Sequence, residues 1–372
     1  MQVTRVRAYR QIQPIRRGTY AMGHVSSTQF DSAIVALDTD EGITGWGEIA
    51  VITAFYGDAF ASGARAGIGD LAPLLLGADP RQPRRVYAVL DGAMRGQPYV
   101  KSALDMATWD LTARAAGQPL CDALGARFGD AVPLYDVVTI LSLDDAVALA
   151  RELVDEGYRR IQVKVGTTPA ADAERLAAVR DVVGDDVVLY ADANGAFTAA
   201  TARKFLRATR DLEYVLEQPC RTYAECASVR HAADRPMVLD ESIVTLDDLL
   251  RAHRDGVADG ITIKLQRVGG ITRATLIRDV AVELGVEVTV EDAGGASLVT
   301  AAVVHVGLGT PERMRVHTCD FHTWVTTDHG NGLPPRADGG QRPPSGPGLG
   351  IDVDLALLGD PIVDVAAERG RQ

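Results

Sequence analysis

The chain has 372 residues, of which 47% are hydrophobic and 24% are charged, and its formal net charge is −12. This length suits a barrel domain with a smaller domain beside it, and the composition is that of an ordinary globular protein. The negative charge argues against a nucleic-acid-binding protein, which needs a basic face, but it permits binding of a small anion at a local cation.

The sequence predicts a cytoplasmic protein. Its polar N-terminus, MQVTRVRAYR, shows no signal peptide, and no apolar run approaches the roughly 20 residues needed to span a membrane. Its cysteines show no CxxC spacing and suit unpaired thiols in a reducing compartment. They are Cys121, Cys220, Cys226 and Cys319.

Residues 1–125 are predicted to form an α+β capping domain. The segment SAIVALDTDEGITGWGEI predicts two strands joined by a turn at residues 39–42. The segment KSALDMATWDLTARAAG carries apolar residues at helical spacing and predicts a helix that stops near Gly117.

From residue 126 to about residue 320, short apolar runs alternate with amphipathic helical stretches. Strands alternating with helices imply parallel pairing, and eight such strands imply a closed barrel. Residues 321–372 are rich in Gly and Pro and are predicted to return to the cap as loops. The eight runs are VPLYDVV, IQVKV, VVLYAD, YVLEQ, PMVLD, ITIKL, VEVTV and RMRVHT.

Five consecutive barrel strands, from the second to the sixth, each carry one ionisable residue at or near the end. A single such residue is usually a helix cap or a solvated strand end, but five in a row indicate a site at the end of the barrel that carries the chemistry in barrel enzymes. Because adjacent parallel strands lie about 5 Å apart, three neighbouring carboxylates can meet around Mg²⁺, which prefers oxygen ligands. In strand order the residues are Lys164, Asp192, Glu217, Asp240 and Lys264.

Several segments together resemble the enolase superfamily, within its muconate-lactonizing and mandelate-racemase branch. The cap segments are GITGWGEI and DMATWDLTARAAGQPLCDALG, and the barrel segments are ADANGAF, EQP, LDES and KLQRVGGIT. The resemblance covers nearly the whole chain. It implies an α/β fold, a modified (β/α)7β TIM-like barrel with an α+β cap, and an enzyme that often assembles as a homo-oligomer.

The resemblance also implies roles for the charged strand ends. Asp192, Glu217 and Asp240 would bind Mg²⁺, with Glu241 a less favoured ligand than Asp240. Lys164 and Lys264 would form an acid/base pair on opposite faces of the substrate. An unperturbed lysine, with a pKa of about 10.4, is too protonated to act as a base near pH 7, so burial near Mg²⁺ is expected to lower the pKa of each lysine.

One position departs from the family pattern. The second barrel strand often carries Lys-x-Lys, but here Gln162 precedes Lys164. The two side chains point to the same side of the strand. The neutral amide can donate a hydrogen bond to a substrate carboxylate, but it removes one cation that would lower the pKa of Lys164.

The predicted reaction is removal of the proton α to a carboxylate, which gives an enediolate whose charge Mg²⁺ offsets. The Gln-x-Lys strand and the loops resemble members that act on proline-type amino acids. The function expected first is dehydration of cis-3-hydroxy-L-proline to Δ1-pyrroline-2-carboxylate. The alternatives are a 2-epimerase of hydroxyproline betaine, an amino-acid or dipeptide epimerase, and a non-catalytic binding protein on the same fold. The complete set of five residues favours an enzyme.

Other residues are predicted to contact the substrate, a small carboxylate. They include Glu291 or Asp292 at the end of the seventh strand, although either acid would also serve as a helix cap. For the predicted contacts that lie in the cap, simple packing of the side chain is the alternative to substrate contact. The segment VHTCDFHTW holds His317, Cys319, His322 and Trp324, which would line the pocket or, as a second interpretation, bind zinc. The remaining predicted contacts are Tyr20, Phe55, Tyr56, Gln162 and Asn194.

Overall fold

The computed structural model describes residues 1–23, 25–54, 56, 58–125 and 127–367. An antiparallel sheet with helices forms a cap, and a nearly closed barrel of eight parallel strands follows it. The predicted α/β fold, a (β/α)7β barrel with an α+β cap, is confirmed. Phe55, a predicted substrate contact, lies outside the described residues.

The cap sheet has the strand order β17-β1-β4-β5, all antiparallel, and a small hairpin of β2 and β3 stands apart from it. Its strands are β1 (Val3–Pro14), β2 (Tyr20–Met22), β3 (Val25–Ser27), β4 (Gln29–Thr39), β5 (Thr44–Val51) and, from the far end of the chain, β17 (Val363–Ala366). Its helices are α1 (Ala61–Leu71), α2 (Pro83–Ala93), α3 (Pro98–Ala115) and α4 (Leu120–Ala123).

Two glycines let helix α3 pack directly on strand β5. A Cβ atom at Gly45 would lie 2.4 Å from the carbonyl oxygen of Ala107, and one at Gly47 would lie 2.1 Å from that of Ala103. No side chain fits in these gaps, since close-packed interiors leave no room for added atoms. The predicted hairpin and helix are confirmed, and the glycines of GITGWGEI set the distance between them.

The barrel strands follow one another in the order β12-β11-β10-β9-β8-β7-β6-β13. They are β6 (Val132–Val138), β7 (Arg160–Lys164), β8 (Val188–Asp192), β9 (Val215–Glu217), β10 (Met237–Leu239), β11 (Gly260–Lys264), β12 (Glu287–Glu291) and β13 (Thr318–Cys319). The helices are α5 (Leu143–Asp155), α6 (Pro169–Val183), α7 (Ala199–Ala208), α8 (Tyr223–Arg230), α9 (Leu246–Arg254), α10 (Leu265–Val268), α11 (Ile271–Glu283) and α12 (Ser297–Leu308).

The eighth strand is shorter than the predicted run RMRVHT. Only Thr318 and Cys319 pair with β6, while the residues before them close the barrel on its other side. There the N–H of Val288 donates to the carbonyl of Met314 at 2.8 Å, and that of Val316 donates to the carbonyl of Val288 at 2.9 Å. The run is therefore divided between β12 and β6, which shortens its regular ladder of hydrogen bonds with β6.

The three helices that follow the carboxylate-bearing strands begin with the same device. In α7, α8 and α9, a threonine caps the helix, and the residue three positions later bonds back to it. Such capping boxes satisfy backbone N–H groups that would otherwise lack partners, so they fix where each helix begins. The threonines are Thr198, Thr222 and Thr245.

The C-terminal segment ties the barrel to the cap. Its short strand β15 (Gly340–Gln341) pairs with β6, and β17 adds to the edge of β1. On either side of β15 in the chain, β14 (Gly330–Asn331) and β16 (Asp352–Val353) pair with each other. In the part of the chain that the structure describes, no helix combines the length and apolar character needed to cross a membrane.

Candidate active site

Strand register brings the predicted site residues together at one end of the barrel. Lys164 on β7 is the register partner of Asp192 on β8, and Asp192 is the partner of Glu217 on β9. Asp240 follows the last residue of β10, and Lys264 ends β11. All five side chains are buried. The spacing in the sequence therefore corresponds to one shared site.

Lys164 is paired with a carboxylate and covered by an aromatic ring. Its Nζ lies 2.5 Å from Asp192 Oδ2 and 6.0 Å from the centre of the Tyr20 ring. Burial favours the neutral amine, but Asp192 outweighs burial and holds the pKa of Lys164 well above its usual value.

Lys264 has the same kind of surroundings on the other side. Its Nζ lies 2.9 Å from Glu291 Oε1, 3.4 Å from Asp240 Oδ2 and 5.1 Å from the centre of the Tyr56 ring. Here too burial lowers the pKa, but the carboxylates raise it well above the usual value. The expected lowering of both lysine pKa values beside a bound Mg²⁺ stays a prediction; on their own, the carboxylates around each ammonium raise its pKa.

Arg267 is a site residue that the sequence analysis did not single out. It forms an ion pair with Asp240 Oδ1, and its Nη2 donates to the hydroxyl of Tyr56 at 3.0 Å. Burial would raise the pKa of Asp240, but Arg267 and Lys264 together lower it to about 2. The signal was present in KLQR, where Arg267 follows Lys264 by three residues and lies on the short helix α10.

The three candidate metal ligands crowd one another. Burial, with the charges of Asp192 and Asp240, raises the pKa of Glu217 well above its usual value. Glu217 accepts hydrogen bonds from Gln162 Nε2 at 2.7 Å and from the Thr262 hydroxyl at 3.1 Å. A buried set of oxygen donors that repel one another fits a divalent cation such as Mg²⁺.

Within the described ranges, no three Asp, Glu, His or Cys side chains stand ready to hold a metal ion. Asp192 and Asp240 instead pair with the lysines and Arg267. The donor chemistry therefore fits the cation, whereas the ion pairs show which contacts a bound cation would replace.

Asn194 and Glu241 lie beside the carboxylate set. The amide of Asn194 donates to Glu241 Oε1 at 3.1 Å, and its backbone N–H donates to Asp192 Oδ1 at 2.8 Å. Burial, with the charges of Asp240 and Asp192, raises the pKa of Glu241 to about 8. Asn194 Oδ1 and Glu241 Oε2 are buried with no hydrogen-bond partner in the described structure. Both oxygen atoms are therefore available to accept a hydrogen bond.

The two acids at the end of β12 have different surroundings. Glu291 faces the barrel interior, where it pairs with Lys264 and accepts a hydrogen bond from the Tyr135 hydroxyl. Asp292 lines the cavity, and its carboxylate accepts backbone N–H groups from Ala293 at 2.9 Å and Gln266 at 3.3 Å. Burial raises the pKa of Asp292 to about 7. Of the two acids, Asp292 is therefore the one that lines the cavity.

A small cavity opens between the two lysines. It contains Gln162 and Asp292 as further polar groups and is covered by apolar and aromatic side chains. Trp324 belongs to this lining, but His317 does not, because its ring packs between Tyr135 and Tyr190 inside the barrel. The lining comprises Tyr20, Met22, Ile52, Tyr56, Tyr135, Gln162, Lys164, Lys264, Asp292, Ala293, Phe321 and Trp324.

Two family models match the chain. "Mandelate racemase / muconate lactonizing enzyme, N-terminal domain" matches residues 1–125, and "Enolase C-terminal domain-like" matches residues 145–357. The chain is 36% identical over 363 residues to a cis-3-hydroxy-L-proline dehydratase from Roseibium aggregatum, covering 97% of the chain and 99% of that protein. It is 28% identical to an N-succinyl-L-Arg/Lys racemase from Bacillus cereus, covering 82% of the chain and 84% of that protein.

A solved structure is also similar. The crystal structure of a member of the enolase superfamily from Roseovarius nubinhibens ISM, complexed with magnesium, superposes with a TM-score of 0.92 at 36% sequence identity. The match covers 98% of this chain and 100% of that chain. The likeness therefore extends over both the cap and the barrel.

Proposed function

Because the chain belongs to the mandelate racemase/muconate lactonizing enzyme family of the enolase superfamily, whose members are lyases and isomerases, we propose that it is a Mg²⁺-dependent enzyme that dehydrates cis-3-hydroxy-L-proline. The observation that carries the proposal is the pair of buried lysines, Lys164 and Lys264, which line one small cavity beside three carboxylates. The dehydratase from Roseibium aggregatum supports this choice of substrate.

Asp192, Glu217 and Asp240 would hold the cation. When bound, Mg²⁺ would offset the negative charge that develops on the substrate carboxylate after proton removal. The same cation would compete with Lys164 for Asp192 and with Lys264 and Arg267 for Asp240. Each lysine would then lose a carboxylate that raises its pKa, and its amine would become available for proton transfer.

The substrate geometry suits two lysines on opposite faces. In cis-3-hydroxy-L-proline the hydroxyl lies on the same ring face as the carboxylate, so the α-hydrogen lies on the other face. One lysine takes the α-proton from C2, and the electron pair of that bond forms the C2–C3 double bond. The C3–O bond breaks as the second lysine, present as its ammonium, protonates the leaving hydroxyl to give water. The resulting enamine tautomerises to Δ1-pyrroline-2-carboxylate.

The cavity also suits the rest of such a substrate. Asp292, which has no cationic partner within hydrogen-bond reach in the described structure, offers a carboxylate to the ring ammonium. Met22, Ile52 and Phe321 offer apolar contact to the ring methylenes. The amide of Gln162 would have to turn from Glu217 to reach the substrate carboxylate. The small size of the cavity favours a single amino acid over a dipeptide.

A second candidate function is 2-epimerisation of hydroxyproline betaine. It is favoured by Tyr56 and Trp324, two aromatic rings of the same cavity that could contact a quaternary ammonium. In this reaction the second lysine returns a proton to the opposite face of C2 instead of protonating a leaving group.

Proton NMR in D₂O separates these functions. Incubation with cis-3-hydroxy-L-proline should remove the C3 proton signal and produce an imine. Incubation with hydroxyproline betaine that gave deuterium at C2 without elimination would instead support the epimerase. If neither compound reacts, the proline-type substrate is wrong.

We also place the enzyme in the cytoplasm, because its cysteines are buried and unpaired.

A further inference from the structure

Each lysine of the site has a carboxylate as its register partner on the next strand. Lys164 on β7 is paired with Asp192 on β8, and Lys264 on β11 is paired with Glu291 on β12. The first carboxylate belongs to the proposed metal set, whereas the second does not. A bound cation would therefore take the register partner of one lysine and leave that of the other.

Glu291 is held in place by both of its oxygens. Oε1 lies 2.9 Å from Lys264 Nζ, and Oε2 accepts a hydrogen bond from the hydroxyl of Tyr135 on β6, which is separated from β12 by β13. Glu291 is 2% exposed, so water does not compete for either oxygen. The aromatic ring of Tyr135 is itself fixed against His317, with ring centres 4.3 Å apart. These contacts restrict the Glu291 carboxylate to one orientation.

Lys264 lies between two carboxylates that draw it in different directions. Its Nζ is closer to Glu291, at 2.9 Å, than to Asp240, at 3.4 Å. Without Glu291, Asp240 would be its remaining carboxylate within reach, and the ammonium would sit where the cation is proposed to bind. Electrostatic repulsion between an ammonium and a divalent cation would then weaken cation binding.

We infer that Glu291, oriented by Tyr135, is a positioning residue that fixes the Lys264 side chain at the wall of the cavity and holds it away from Asp240. This inference rests on the proposed role of Lys264 in proton transfer. Stability alone does not account for the contact, because a buried ion pair is often no more stabilising than apolar side chains of similar volume. The position of this ion pair beside a lysine that is proposed to transfer protons does account for the contact.

The lysine content of the chain gives a direct test. The chain has four lysines, Lys101, Lys164, Lys204 and Lys264. Protein labelled with carbon-13 at the lysine ε-carbon should therefore show four signals, which single Lys→Arg variants assign. Spectra of the full chain are recorded with and without Mg²⁺, and this measurement requires no turnover. Lys204 is exposed on α7 and serves as an internal reference.

Glu291→Gln and Tyr135→Phe should each displace the Lys264 signal and leave those of Lys101 and Lys204 in place. Glu291→Gln should also enlarge the movement of the Lys264 signal on addition of Mg²⁺ and weaken Mg²⁺ binding in calorimetry. Glu287→Gln, an exposed position on the same strand, is the matched control and should match the parent. An unmoved Lys264 signal in Glu291→Gln would overturn the inference, as would equal movement of all three buried lysines.

A second measurement follows the partial reactions. Glu291→Gln should reproduce the balance of α-hydrogen exchange and elimination that Lys264→Ala shows, and not that of Lys164→Ala. If Glu291→Gln instead loses α-hydrogen exchange and elimination to the same extent, so that their ratio stays that of the parent, the positioning role is contradicted. If the parent itself transforms no proline-type compound, the substrate assignment fails while the NMR result still decides the role of Glu291.

Discussion

Lys164 Nζ and Asp192 Oδ2 lie 2.5 Å apart at matching positions of two adjacent parallel strands. The same oxygen cannot serve fully as the partner of an ammonium and as the ligand of a cation. In the proposed Mg²⁺ complex, the carboxylates would therefore be shared between the protein's own cations and the metal ion. If Mg²⁺ binds as proposed, it would displace Lys164 from Asp192 and Lys264 from Asp240.

The first prediction concerns the metal. Removal of divalent cations with EDTA should abolish turnover, and Mg²⁺ should restore it. Asp192→Asn should weaken Mg²⁺ binding in calorimetry by at least the roughly 10–100-fold that loss of a second-shell partner costs. Asp211→Asn, at a carboxylate whose side chain is 87% exposed, is the control and should bind like the parent. Full activity after thorough chelation would refute the metal assignment.

The second prediction concerns the two lysines separately. Lys164→Ala and Lys264→Ala should each reduce net turnover by at least about 10²–10⁴-fold, which is the usual contribution of general acid–base catalysis. Circular dichroism should show an unchanged fold, and Lys204→Ala should leave activity unchanged. In D₂O one variant should still exchange the α-hydrogen through the surviving base. Parent-like turnover by both variants would rule out a two-lysine mechanism.

The third prediction tests the contact between cap strand and cap helix. Gly47→Ala should destabilise the fold by about 1–3 kcal/mol, because its methyl group would lie against the carbonyl of Ala103. Gly92→Ala, on α2 with no atom within 4 Å of the added Cβ, should instead stabilise by about 0.5–1 kcal/mol. Urea denaturation measures both. Equal effects would mean that β5 and α3 have room between them.

The fourth prediction is a pH dependence of stability that arises from His305. Burial lowers its pKa to about 4, and its ring lies between the Cys121 N–H and the carbonyl of Leu349, each 3.3 Å away. Between pH 6.5 and about 4 the unfolded chain binds a proton at this position and the folded chain does not, so stability falls as the pH falls.

For one proton the slope is about 1.4 kcal/mol per pH unit. His305→Gln should flatten the dependence of the free energy of unfolding on pH over this range. His231→Gln, at an exposed position, should keep the parent's slope. The assignment fails if the two variants show the same pH profile.

Much of the fold was predictable, since its signals are local in the sequence. Barrel strands buried on both faces appear as continuous apolar runs, and a charged residue that ends such a run, such as Asp192 or Asp240, is conspicuous. Spacing of one strand and one helix then placed these residues at one end of a barrel. Gly45 and Gly47 were visible in GITGWGEI, but their purpose emerged only with α3 packed against them.

The pairing of charges was not predictable in the same way. The pairing of cations with carboxylates depends on the directions of side chains at the strand ends and on α10. No periodic pattern in the sequence reports these directions. Arg267 was therefore overlooked, as were the ion pairs of Lys164 with Asp192 and of Lys264 with Glu291. His317 was expected in the pocket, but ring packing between Tyr135 and Tyr190 places it in the interior.

The pairing of β17 with β1 bears on the order in which the molecule is made. Residue 5 lies opposite residue 366 in that sheet, so an edge of the cap is supplied by a segment that the ribosome delivers after all eight barrel strands. During synthesis, β1 must wait with one edge unpaired, where it is open to pairing with other chains. The cap sheet can therefore gain this edge only after the barrel strands have been synthesised.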